Sequence, residues 1–66
     1  MNPNLKFHII SDKTKTSQYI KKNILKKILK HKLLKSNCIM VIGGDGFMLN
    51  SLKKYYKFKK PFYGLN

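Results

Sequence analysis

Ile42-Gly43-Gly44-Asp45-Gly46 sets a carboxylate inside a flexible backbone turn of phosphate size, between an apolar run and a helical pattern. The run before it, Cys38-Ile39-Met40-Val41-Ile42, reads as a strand, and the helix is expected to begin near Phe47. In a parallel α/β sheet such a turn lies at the carboxyl end of a strand, where ligands bind. Glycine lets the backbone take positive φ and approach a ligand closely. The amides that open the following helix lack intrahelical partners and favour anions. A carboxylate among such amides either positions a metal or substrate, or takes a proton. Asp45 is the only acid in its half of the chain. Asp and Gly also make ordinary turns for local reasons. The strand directly before and the helix directly after favour the functional reading. The stretch is neither Gly-x-Gly-x-x-Gly nor a Walker A loop, since no Gly-Lys-Ser/Thr follows.

The elements that would hold this turn follow from periodicity. Leu5, Phe7 and Ile9 alternate along a strand over 5–10. Ser11 to Thr14 forms a turn cluster, and Thr14 or Thr16 can cap a helix. Tyr19, Ile20, Ile24, Leu25, Ile28, Leu29 and Leu33 keep one apolar stripe, which predicts a helix ending at Lys35-Ser36-Asn37. Lysines 21, 22, 26, 27 and 30 cover its other side. After strand 38–42 and the glycine turn, Met48, Leu49, Leu52, Tyr55 and Tyr56 mark a helix from about Phe47 to Tyr56. Lys57 to Lys60 is a basic connector, and a last strand occupies 61–65. Alternating strands and helices argue for a parallel sheet with right-handed crossovers. The fold expected is α/β, the β-α-β-α-β half of a doubly wound parallel sheet, truncated. Strand 38–42, apolar on both faces, should be central, flanked by 5–10 and 61–65. The last strand is followed by no covering helix, so residues 1–66 are expected to be the amino-terminal part of a larger domain.

Sixty-six residues make at most one small domain. A chain this short buries only about 60% of the surface it exposes unfolded. Two acids against fifteen bases give a net charge of +13, and every base is lysine. That charge attracts polyanions such as nucleic acid. The spread of lysine over all polar faces, with no arginine, speaks instead for background composition. One cysteine cannot make an internal disulfide, and Cys38 reads as a small buried hydrophobe. No stretch is long enough to span a bilayer, and the amino end does not read as a signal peptide. A cytoplasmic location is the expectation.

Other residues read more plainly. His8 and His31 have no Cys, His or acidic neighbour at metal-ligand spacing, so both are expected to pack or lie at the surface, and no metal site is assigned. Asp12 follows the first strand and could touch a ligand, although a turn role is favoured. Tyr55 to Lys60 interleaves aromatics with lysines, a pattern that can stack on single-stranded bases but also suits a packed helix end.

The Gly43-Gly44-Asp45-Gly46 turn, the strand before it and Tyr63-Gly64-Leu65-Asn66 after it together resemble bacterial NAD kinases. That family carries Gly-Gly-Asp-Gly after a strand, then a helix, then a strand ending in Gly-x-Asn. The resemblance covers essentially all 66 residues but only the amino-terminal part of the family's length. It implies phosphoryl transfer from ATP, or from polyphosphate in some members, to the 2′-hydroxyl of the adenosine ribose of NAD, giving NADP. Asp45 falls where the family has its catalytic acid–base residue, and Asp45 and Gly46 fall at the NAD site. Gly43 and Gly44 match the phosphate-facing turn, and Asn66 is a further candidate. The resemblance also implies a divalent ion, Mg, on the ATP, and a homo-oligomer at full length. Phe47 stands where many members carry Thr, and Asn50 where many carry a basic residue or Gln. The family's second, β-rich domain is absent, so the 66-residue chain alone is expected to be inactive.

Two other readings remain open at this point. One is a lipid kinase of the diacylglycerol kinase type, which has a related turn. The other is a small basic nucleic-acid-binding protein, which leaves the glycine turn unexplained.

Overall fold

A computed structural model describes residues 4–65. Asn66, the further site candidate, lies outside the described residues. The elements run β1 (Phe7–Ser11), α1 (Lys15–Leu25), a 3-10 turn (Leu33–Lys35), β2 (Cys38–Ile42), α2 (Asp45–Tyr55), a second 3-10 turn (Tyr56–Phe58) and β3 (Phe62–Leu65). The strands form one parallel sheet in the order β1-β2-β3, so the α/β arrangement and the central place of 38–42 are as expected. Phe7 pairs with Cys38 and Met40 with Tyr63, which fixes the register. All five residues of β2 are buried, the pattern of a strand covered on both faces.

The two faces are filled by different helices. Phe7, Ile9, Cys38, Met40 and Ile42 form the core of one face, under Ile20, Ile24 and Leu25 of α1 and under Ile28 just beyond it. Tyr63 closes this face with its ring edge-on to Phe7, centroids 5.5 Å apart. Ile39 and Val41 point the other way, toward α2. There Tyr55 packs edge-on to His8, and Phe58 packs on Tyr55.

Helix α1 stops at Leu25, well short of the expected end at residue 35. Beyond it the amides of Lys27 and Ile28 both donate to the Ile24 carbonyl, a tightening last turn. Ile28 still reaches the core, but Leu29, expected in the same stripe, is 78% exposed. The reason is a competitor for the backbone. Lys30 forms a parallel bridge to Phe7, and the His31 N–H donates to the Phe7 carbonyl at 2.8 Å. The free edge of β1 thus captures the chain where a longer helix would have continued.

That bridge decides the winding. Phe7 turns its carbonyl to Lys30–His31, whereas Lys6 receives the Cys38 N–H from β2. Alternate residues of a parallel strand face opposite neighbours, so Lys30 lies on the outer side of β1. The chain passes over α1 to that outer side, returns past the start of β1, and only then enters β2. Its direction of travel across the sheet reverses between β1 and β2, and α2 consequently covers the face opposite α1. This is a doubly wound sheet with its switch point between β1 and β2.

The return is anchored at both ends. Asn37 Nδ2 donates to the Asn4 carbonyl, and Asn37 Oδ1 accepts from the Lys6 N–H. Lys60, placed by sequence in a solvated connector, instead sends its ammonium to the Leu33 and Ser36 carbonyls. It thereby ties the approach to β3 to the 3-10 turn. Helix α2 begins at Asp45, two residues earlier than expected, and its last turn tightens to 3-10. Tyr56, Leu49 and Leu52, all expected in the apolar stripe, are exposed.

A domain of this length has a total stability of roughly 3–10 kcal/mol. Ile42→Ala should remove about 2–5 kcal/mol and leave much of the chain unfolded. Leu34→Ala, at a side chain 83% exposed, should change stability by under about 0.5 kcal/mol. Urea titrations followed by circular dichroism compare the two; equal losses would contradict the assigned core.

Candidate functional site

The carboxyl ends of β1 and β2 open onto one cleft of about 430 Å³. Asp12 enters from the β1 side, with Thr14, Thr16 and Ser17 at the start of α1. Gly43, Gly44 and Asp45 enter from the β2 side. The chain has two acids in all, and both line this cleft, at the switch point of the sheet. No lysine lines it, although there are fifteen in the chain.

Each expected site residue has a distinct place. Asp45 is the first residue of α2, exposed at the cleft. Gly44 is the N-cap, with φ −76° and ψ 178° and no side chain to cap the helix, so the opening amides of α2 face outward. Gly46 lies one residue into the helix and does not line the cleft. Asn50 lies in a different hollow, with Ile10, Ser51 and Lys54. Phe47 shares that hollow and packs against Gly43 from below.

The glycines act through space rather than through unusual dihedrals, since no described glycine has positive φ. A Cβ on Gly43 would stand 2.7 Å from Asp12 Oδ2 and 2.8 Å from the Phe47 ring. The Gly43 N–H is also engaged, donating to the Leu65 carbonyl at 2.9 Å. Gly43 therefore locks the turn to β3, and its amide is not turned to the cleft. A Cβ on Gly44 or Gly46 would meet nothing within 4 Å.

Asp12 has the turn role favoured for it, and it lines the cleft. Its Oδ1 accepts from the Thr14 N–H at 3.1 Å and from the Thr14 hydroxyl at 2.7 Å, a local turn. Its N–H donates to the Ile42 carbonyl, which extends the β1–β2 ladder to the cleft edge. Thr14 is the N-cap of α1, its hydroxyl oxygen accepting from the Ser17 N–H at 3.2 Å. Hydrogen bonds from the Ser17 and Thr14 hydroxyls, then from the Thr14 and Gly44 backbones, hold the Asp12 carboxyl below its ordinary value of 3.8. Partial burial opposes this and is outweighed.

Thr16 and Ser17 were not foreseen as cleft residues. The signal that could have found them is the Thr14-x-x-Ser17 spacing at a helix start directly after Asp12. Among the described residues no three His, Cys, Asp or Glu side chains gather where they could hold a metal ion. His8 Nδ1 donates to the His31 carbonyl at 3.0 Å, a packing role. Cys38 is fully buried, and that burial pushes its thiol pKa up. Among the described residues no helix is long and apolar enough to cross a membrane.

Comparison with known proteins now bears on this geometry. The chain is 32% identical over 62 residues to the NAD kinases of Brucella suis and Brucella melitensis. It is similar to NAD kinases. The match covers 94% of this chain and 24% of each relative, so the chain spans about a quarter of their length. No protein-family model matches, and no solved structure does.

Two predictions follow the roles of Gly43 and Asp12. Gly43→Ala should cost about 1–3 kcal/mol, because the Asp12 carboxyl and the Phe47 ring must both give way. Gly44→Ala, into open space, should cost under about 1 kcal/mol. Thermal melts of the two variants test the difference. Asp12 has a lowered folded-state pKa, so its contribution is fully present above the unfolded value. It is lost as pH falls below 3.8 and through the folded value. Melting temperature should drop across that window in the parent, and the drop should be shallower in Asp12→Asn.

Proposed function

We propose that residues 1–66 are the amino-terminal part of an NAD kinase, with Asp45 as the general base. The observation that carries this is the position of Asp45. It opens α2 at the mouth of the switch-point cleft, within a chain similar to NAD kinases. Ligands of doubly wound sheets bind at such crevices.

The substrates in this reading are NAD and ATP. A ribose hydroxyl is a weak nucleophile, and a carboxylate within hydrogen-bond reach orients it and accepts its proton. The 2′-oxygen forms a bond to the γ-phosphorus, the bond from that phosphorus to the bridging oxygen breaks, and ADP leaves. The proton passes to Asp45. The rest of the barrier falls through positioning and neutralisation of phosphate charge.

The donors at the cleft are all oxygen: two carboxylates, and the hydroxyls of Thr14, Thr16 and Ser17. They fit Mg²⁺, which takes one or two carboxylates together with substrate phosphates. In this reading Asp12 would share in holding such an ion, leaving Asp45 for the proton. When bound, the ion supplies neutralisation of the nucleotide's charge. The remaining NAD contacts and the β-rich domain would come from the three quarters of the enzyme beyond the matched region.

A chimera provides the test. Residues 1–66 replace the matching quarter of the Brucella suis enzyme, and NADP formation is measured. The chimera should turn over, and Asp45→Asn within it should lose about 10²-fold or more in kcat with a much smaller change in KM. Near-normal turnover of the Asn variant would remove Asp45 from the role of base.

A further inference from the structure

A second cavity, of about 460 Å³, lies along the outer edge of β1 and shares no lining residue with the cleft. His8, Ile9, Lys21, Lys30, His31 and Lys32 line it. Three lysines thus meet with no acid among them, since both of the chain's acids line the cleft. Their backbone is fixed. The Lys30 bridge to Phe7 and the His31 N–H on the Phe7 carbonyl pin the segment to the strand. Lys32 continues it with extended backbone, φ −65° and ψ 152°, so Lys30 and Lys32 project to one side. Lys21 reaches the same space from α1 and is half-buried, whereas Lys22, Lys26 and Lys27 are exposed.

Other polar groups gather at the same place. Like Phe7, Ile9 turns its N–H to the outer side of β1, where no strand lies among the described residues. The His31 carbonyl, next along that edge, accepts from His8 Nδ1 at 3.0 Å. His31 Nδ1 is buried with no hydrogen-bond partner among the described residues, an orphan of the kind that a bound ion explains. We propose that this cavity is a binding site for a multiply charged phosphate group, held by Lys21, Lys30 and Lys32 together with the Ile9 N–H. Phosphate presents oxygens on every side and suits separate point charges. A carboxylate is matched best by a planar arginine fork, and the chain has no arginine. Cations that converge without an acid repel one another, and a polyanion among them turns that repulsion into attraction. The site is independent of the kinase reading and of Asp45.

The experiment uses the 66-residue chain, ¹⁵N-labelled, at neutral pH and physiological salt, free of divalent cations. Inorganic triphosphate is titrated while the amide signals of Ile9, His31 and Lys32 are followed. These should shift together and saturate; no shift would overturn the inference. Lys30→Gln with Lys32→Gln should weaken binding at these amides about ten-fold or more, the scale for removing two charges a few ångströms away. Lys53→Gln with Lys57→Gln removes the same charge from exposed positions outside the cavity, and should weaken it less than about two-fold. Equal losses in the two double variants would mean diffuse attraction to a basic surface, and the inference would fall. Shifts confined to Gly44 and Gly46 would also sink it, while leaving the kinase reading in place. Lys21→Gln alone, a change on a helix surface, covers the case in which the first double variant does not fold. It should weaken binding about five-fold, and unchanged affinity would remove the site. Adenosine triphosphate, run alongside, separates the sources of phosphate. Comparable binding of both supports a site that takes nucleotide tails, and binding of triphosphate alone supports a site for free oligophosphate. Adenosine triphosphate binding at these amides without triphosphate binding would mean that the base is recognised, and the inference would fail.

Discussion

One missing Cβ governs the carboxyl edge of this sheet. Gly43 sits where β1, β2, β3 and α2 meet, with Asp12 on one side and Phe47 on the other. Its N–H reaches Leu65, so the turn is joined to β3 as well as to β2. Any side chain at Gly43 would push Asp12 off Thr14, or Phe47 out of the opposite layer. The cleft, the start of α2 and the placement of Asp45 all depend on that close approach. The glycine is required because of what packs against it, with ordinary dihedrals throughout.

The second constraint is the reversal of winding between β1 and β2. A single parallel bridge at Lys30 holds the chain on the outer edge of β1 before it returns. Without that excursion, both helices would lie on the same face if both crossovers were right-handed. With it, α1 and α2 cover opposite faces, β2 is buried on both, and the loops after β1 and β2 diverge to leave a crevice. The residues after these two strands are the ones that line the cleft. Sheet topology thus brings Asp12 and Asp45 to one place from positions 33 residues apart in sequence.

Charge acts on two scales. The molecule as a whole carries +13, which attracts anions to its surface. The cleft itself is lined by both of the chain's acids and by uncharged polar groups. The charge of the cleft lining is therefore opposite in sign to that of the molecule as a whole. Lys60 departs from the general surface role: it caps the carbonyls of the first 3-10 turn and holds the end of the return segment.

The sequence by itself determined the order and type of the elements, the parallel sheet and the central strand. Apolar runs and periodicity depend only on which residues can be buried on one or both faces. It also marked Asp45, because an acid in a glycine turn between a strand and a helix stands out locally. The end of α1 was not legible. The apolar stripe continues through Leu29 and Leu33, and only the free edge of β1 decides that the backbone leaves the helix there. Nor was the share of Asp12, Thr16 and Ser17 in the cleft, since their relation to Gly43 exists only once β1 lies beside β2. Local pattern fixes what a segment can bury. Which segments then compete for a strand edge, or meet across a turn, is decided by packing between residues far apart in the chain.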